Sequence, residues 1–192
     1  MNQIRTFIAL DLPPAAQESI EKQTKHLRQT LGDDVIRWVP IHNLHLTLRF
    51  LGVTPTSHLE FLKQTLTQAA ATCSQFDLQI GGLGSFPTPK RPRVIWVGLH
   101  APAGLNSMQQ KIEESAVRLG YEKEERPFSP HLTLGRVRQG IPSQDLQKIS
   151  NTLMSIQLGN IGIARVDSIH LYQSDLHADG SVYTKLFSAP LR

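Results

Sequence analysis

The tetrapeptide His-Leu-Thr-Leu occurs twice in this chain, at His45-Leu46-Thr47-Leu48 and at His131-Leu132-Thr133-Leu134. On a β-strand, residues i and i+2 point to the same face. Each copy therefore presents an imidazole and a hydroxyl together and turns both leucines the other way. One copy alone is the ordinary polar face of a half-exposed strand. Two copies supply two such pairs, His45 with Thr47 and His131 with Thr133, which related strands can bring to one cleft.

That set suits the opening of a cyclic phosphodiester. One neutral imidazole takes a proton from attacking water, and one protonated imidazole gives a proton to the leaving ribose oxygen. Free histidine titrates near ~6.5, so both forms are accessible around neutral pH. The threonine hydroxyls can hold non-bridging phosphate oxygens. The scheme calls for no metal, no cofactor and no covalent nucleophile. Other chemistries lack their signatures: there is no G-x-S-x-G, no P-loop and no H-E-x-x-H. His42 and His45 are three apart, but no second set at metal-ligand spacing accompanies them. His42, His100, His170 and His177 read as surface or satisfied core residues, and His26 and His58 as solvent-facing. Cys73 is the only cysteine, so an internal disulfide and a cysteine-based metal site are both excluded.

The two motifs sit in a pattern of strands alternating with a few helices. Strands are predicted over 5–10, 35–38, 45–51, 76–83, 93–99, 131–137, 157–163, 168–172 and 182–187 from apolar runs and alternation. Helices are predicted over 15–31, from Thr56 or Ser57 to Cys73, over 104–119 and over 143–154 from apolar stripes at helical spacing. The segment from Gly84 to Pro92, rich in Gly, Pro and Lys/Arg, reads as a loop. The two halves correspond coarsely: helix, strand bearing the motif, helix, strand. No Ser/Gly-rich or Pro-rich linker divides them. The expected fold is α+β: one domain over 1–192, built of two pseudo-symmetric lobes. Each lobe has an antiparallel or mixed sheet and outer helices, and the lobes flank a central cleft. Such a chain builds its paired site internally, so a monomer is expected.

Net charge is +4, with 20 Lys/Arg against 16 Asp/Glu, which favours an anionic partner without naming it. Arg37, Arg49, Lys90, Arg91, Arg93, Arg136 and Arg138 lie in or beside the strands and loops near the motifs. Acids gather elsewhere, as in Glu113-Glu114 and Glu122 to Glu125. No apolar run approaches the ~20 residues of a membrane helix, so no membrane partner is expected. The first residues, Met1-Asn2-Gln3-Ile4-Arg5, carry no long apolar run or cleavage site, and the expected location is the cytoplasm.

Several segments, in order, resemble the two-histidine (2H) phosphoesterase superfamily. More narrowly, they resemble its bacterial and archaeal RNA 2′,3′-cyclic phosphodiesterases, also called 2′-5′ RNA ligases or LigT-like proteins. The segments are Arg5 to Leu10, Arg37-Trp38-Val39, Asn43 to Gly52, Gly84 to Pro87, Arg93 to Gly98 and Ser129 to Arg136. The resemblance implies that His45 donates a proton to the leaving oxygen and that His131 accepts one from water. It implies RNA with 2′,3′-cyclic phosphate ends, or cyclic nucleotides, as substrate, and a 2′-phosphomonoester as product. It implies that Arg136 contacts phosphate and that an aromatic side chain stacks on the base, with Phe50 the candidate and core packing its alternative. Strand parity turns Arg136 away from His131 unless the strand ends or bulges near Gly135. Arg49 stands where many relatives carry a small or apolar residue, and either contacts phosphate or sits at the surface. A 2′-5′ ligase using the same site, or a module that only binds RNA ends, shares these features.

Overall fold

The computed structural model describes residues 2–177 and 180–192. The chain order is β1 (Gln3–Asp11), α1 (Pro14–Leu31), β2 (Ile36–Trp38), β3 (His45–Pro55), α2 (Leu59–Ala71), β4 (Phe76–Thr88), β5 (Arg91–His100), α3 (Ala103–Arg118), β6 (His131–Val137), α4 (Ser143–Ser155), β7 (Asn160–Val166), β8 (Ser168–His177) and β9 (Gly180–Pro190). All four predicted helices form. Each buries an apolar stripe, such as Leu105, Met108, Ile112 and Ala116 of α3.

The strands make two antiparallel sheets. The first runs β3-β1-β8-β9 and the second β2-β6-β5-β4-β7. Helices α2 and α3 cover the first sheet, and α1 and α4 cover the second. The helices are exchanged relative to the chain: α1 follows a strand of sheet one and packs on sheet two, while α3 follows a strand of sheet two and packs on sheet one. The two lobes are therefore interleaved and do not correspond to consecutive halves of the sequence.

They nevertheless correspond strand for strand. In each lobe the motif strand pairs with the strand preceding it across a helix, β3 with β1 and β6 with β5. A further hairpin or strand pair completes each sheet. Among the described residues, only β2, on the edge beside β6, has no counterpart. The leucines of both motifs, Leu46, Leu48, Leu132 and Leu134, are buried in the core.

One prediction fails. Gly84 to Thr88 continues β4, and β5 begins at Arg91, so the predicted loop is a long hairpin. Ser85 pairs with Ile95 and Phe86 with Val94, and the Phe86 ring lies 5.3 Å from that of Trp96. Cross-strand aromatic packing outweighs the loop-like composition. The last three strands also differ in their bounds, starting later (β7) or running longer (β8, β9) than the apolar pattern suggests.

Candidate active site

The motif strands carry the same irregularity at the same place. Between β1 and β3 the register runs from Ala9–Thr47 to Ile8–Arg49, leaving Leu48 without a partner. Between β5 and β6 it runs from Trp96–Thr133 to Ile95–Gly135, leaving Leu134 without one. A bulge resets the alternation of faces. Beyond it, the fifth residue after each histidine returns to the histidine's face. That residue is Phe50 in the first lobe and Arg136 in the second.

As a result, His45, Thr47, Phe50, His131, Thr133 and Arg136 all line one cleft between the lobes. Its volume of about 410 Å³ falls within the range of small-ligand sites. Arg136 reaches the cleft through the bulge that strand parity required. Phe50 is 49% exposed, so it is not a core residue. Arg5 and Arg37 add two further cations to the lining, and the Arg5 guanidinium lies 5.3 Å from the centre of the Phe50 ring.

Arg49 does not join them. It follows the bulge on the leucine face, is 9% exposed, and pairs with Glu113 of α3 at 2.9 Å while donating to the Glu122 carbonyl. Both alternatives expected for it, phosphate contact and surface position, are thus corrected. Lys90, Arg91 and Arg93 stand exposed around the β4–β5 turn, outside the cleft lining. His58 is half-buried against the Tyr121 hydroxyl, at 3.2 Å, and not simply solvent-facing. His170 is a buried core histidine with a serine hydroxyl at each ring nitrogen.

Both motif histidines are held the same way. His45 Nδ1 lies 2.8 Å from the Asn43 carbonyl and His131 Nδ1 lies 2.7 Å from the Ser129 carbonyl. A carbonyl only accepts, so Nδ1 carries the hydrogen and donates it, leaving Nε2 to exchange protons with the cleft. Aromatic rings fix each imidazole further. Phe7 stacks on His45 at 4.8 Å and Tyr183 meets it edge-on at 5.3 Å. Phe86 meets His131 edge-on at 5.0 Å.

Burial pushes both imidazoles below their ordinary titration range, and the carbonyl bonds oppose that. The neighbouring charges differ in sign. Asp11 favours protonation of His45, against a smaller opposing effect of His131, whereas Arg136 disfavours protonation of His131. Among the described residues, no group of three or more His, Cys, Asp or Glu side chains is placed to hold a metal. Among them, too, no helix is long and apolar enough to cross a membrane.

The family model of the 2′-5′ RNA ligase superfamily matches residues 13–178. The chain belongs to that superfamily. Its relatives include a Methanothermobacter thermautotrophicus protein named RNA 2′,3′-cyclic phosphodiesterase, 28% identical over 96% of this chain and 97% of that one. An Aeropyrum pernix protein of the same name is 32% identical over 79% of this chain and 84% of its own. Among solved structures, LigT of E. coli, complexed with 3′-AMP, is 28% identical with a TM-score of 0.77, covering 99% of both chains.

Some residues in the lining or just behind it gave no separate signal in the sequence. Tyr183, Phe7 and Asp11 sit on strands whose alternation gives their face but not their neighbours across the sheet. Arg37 was visible as a charge beside a strand, and its edge strand β2 carries it to the rim.

Proposed function

We propose that this chain hydrolyses a 2′,3′-cyclic phosphate at the end of an RNA to a 2′-phosphomonoester. The observation that carries the proposal is the convergence of two identically tethered histidines, each with its threonine, on one nucleotide-sized cleft. His131 Nε2, neutral, takes a proton from water as the water oxygen bonds to phosphorus. The bond from phosphorus to O3′ breaks, and His45 Nε2–H gives its proton to that oxygen. Thr47 and Thr133 donate to the non-bridging oxygens, and Arg136 supplies a charge-assisted contact to the same group. Phe50, exposed at the cleft wall, offers a face on which the terminal base stacks.

Support also comes from relatives named RNA 2′,3′-cyclic phosphodiesterase that match nearly the full chain. In this reading the two lobes act as one catalytic domain, as a monomer in the cytoplasm, without a metal. The superfamily name keeps ligation as a second reading. A 5′-hydroxyl in place of water would yield a 2′-5′ linkage, but water is in vast excess.

The test is an assay on a nucleoside 2′,3′-cyclic phosphate with the product identified by ³¹P NMR. The expected product is the 2′-monophosphate, formed equally well with EDTA and lost in His45→Ala and His131→Ala. Full activity in either variant, or loss of activity with EDTA, overturns the proposal. A joined product from cyclic-phosphate RNA and a 5′-hydroxyl partner would favour ligation.

A further inference from the structure

The two histidines are alike in sequence and in tether, so something outside the motif must tell them apart. The correspondence between the lobes locates it. On β1 the residue paired with His45 is Asp11, whereas on β5 the residue paired with His131 is Gly98. Directly paired residues of antiparallel strands share a face, with Cβ atoms about 5 Å apart. His45 thus has a carboxylate as its cross-strand neighbour and His131 has no side chain there. The second lobe has no room for one: a Cβ at Gly98 would lie 2.8 Å from the Gly81 carbonyl oxygen.

Asp11 is fixed in place. Tyr172 donates to both of its carboxylate oxygens, at 2.7 and 2.8 Å, and Lys185 reaches it at 2.8 Å. His170 lies 3.5 Å away. The Tyr172 ring stacks at 5.2 Å on Phe7, which in turn stacks on His45. Burial pushes the Asp11 carboxyl up, but Lys185 and Tyr172 outweigh it and hold the group below the ordinary carboxylate range. It is therefore an anion whenever His45 titrates.

We propose that Asp11 is a positioning residue for His45: its carboxylate, held by Tyr172 and Lys185, biases His45 to carry the proton and so makes it the donor. His131, beside Gly98 and Arg136, is biased toward the neutral form and becomes the acceptor. This assignment rests on the phosphodiesterase reading above and supplies what two identical motifs cannot. The titratable and charged groups around His45 are Asp11 and Arg5 on β1, His170 and Tyr172 on β8, Tyr183 and Lys185 on β9, and His131 and Arg136 across the cleft. Asp11 is the one anion among them.

The experiment is an NMR titration of the two imidazoles without substrate, in wild type, Asp11→Asn and Lys185→Met. It is paired with pH profiles of kcat/KM on cytidine 2′,3′-cyclic phosphate. Asp11→Asn should lower the His45 midpoint, and the basic limb of the profile, by roughly half a unit to one unit, a partly exposed carboxylate acting at the low end of such effects. The His131 midpoint should move by less than half as much. Lys185→Met removes a competing cation and should move His45 the opposite way, so it decides the matter if Asp11→Asn fails to fold. No shift, equal shifts of both histidines, or movement of the acidic limb alone would overturn the proposal. A wild-type protein with no turnover would instead overturn the phosphodiesterase reading, and the titration would still show whether Asp11 acts on His45.

Discussion

Beside His45 the adjacent strand carries Asp11, and beside His131 it carries Gly98. Five residues past the histidine, the first lobe presents Phe50 and the second Arg136. The residue before that is Arg49 in one and Gly135 in the other. The lobes thus share a backbone, including its bulge, and differ in what hangs from it. The common part positions two imidazoles and two hydroxyls on one cleft. The differing part gives one side an anion and a ring and the other a cation. A reaction with an acid and a base needs both the likeness and the difference.

The largest effect should come from the shared part. His45→Ala and His131→Ala should each lower kcat by about 10²–10⁴-fold, the range for a positioned acid or base. The double variant should be little worse than the weaker single one, because the two act as a unit. Steady-state assays on a cyclic mononucleotide check this, and fully additive losses would break the pairing of the lobes.

The position after the bulge should matter next, through stability. In the second lobe β2 covers it, and a Cβ at Gly135 would lie 2.7 Å from Ile36. Among the described residues the first lobe has no such strand, and Arg49 fills the place and pairs with Glu113. Arg49→Ala should destabilise the protein by about 3 kcal/mol, leaving a poorly solvated glutamate alone. Urea unfolding measures it, and a change below about 0.5 kcal/mol, as at ordinary surface sites, would sink the idea.

The paired cleft residues should separate in kinetics. Arg136→Ala should lower kcat/KM on every cyclic nucleotide alike. Phe50→Ala should chiefly raise KM, by about tenfold, since stacking on a base is worth about 1–3 kcal/mol. Comparing substrates with and without a base sharpens the contrast. Phe50→Ala acting equally on both would remove its stacking role.

The smallest effect should be on stability against pH. His45, His131 and His170 all titrate below their ordinary value of 6.5 in the folded chain, chiefly through burial. The unfolded chain then binds more protons as pH falls below 6.5. Stability contributed by these groups is complete above that pH and is lost as pH drops toward their folded values. The urea midpoint should fall between pH 7 and pH 5, and a midpoint that stayed level or rose on acidification would contradict the buried, depressed histidines. Phosphate should offset the fall if it binds the protonated pair.

Much of this site was legible in the sequence because strand parity is local. His45, Thr47, His131 and Thr133 needed only the rule that alternate residues share a face. Arg136 needed one bulge, and Gly135 marked where to look. Arg49 misled because regular alternation from His45 and Thr47 puts it on the cleft face, while the bulge turns it to α3. The segment from Gly84 to Thr88 misled because its composition says loop while Phe86 packs across the hairpin on Trp96. Asp11 was invisible because its meaning depends on register: it matters through His45, thirty-four positions away. The exchange of α1 and α3 between sheets was equally out of reach, since an apolar stripe says that a helix packs but not on which sheet.

That exchange has a consequence for how the molecule can come apart. A cut in the β4–β5 turn would yield a fragment holding α1 without its sheet partner β7, and another holding α3 without β3. Neither piece contains a finished layer, so neither should fold alone. Mixed together, each carries the missing cover for the other. The two fragments are natural halves for a split reporter, in which return of activity would register that they had met.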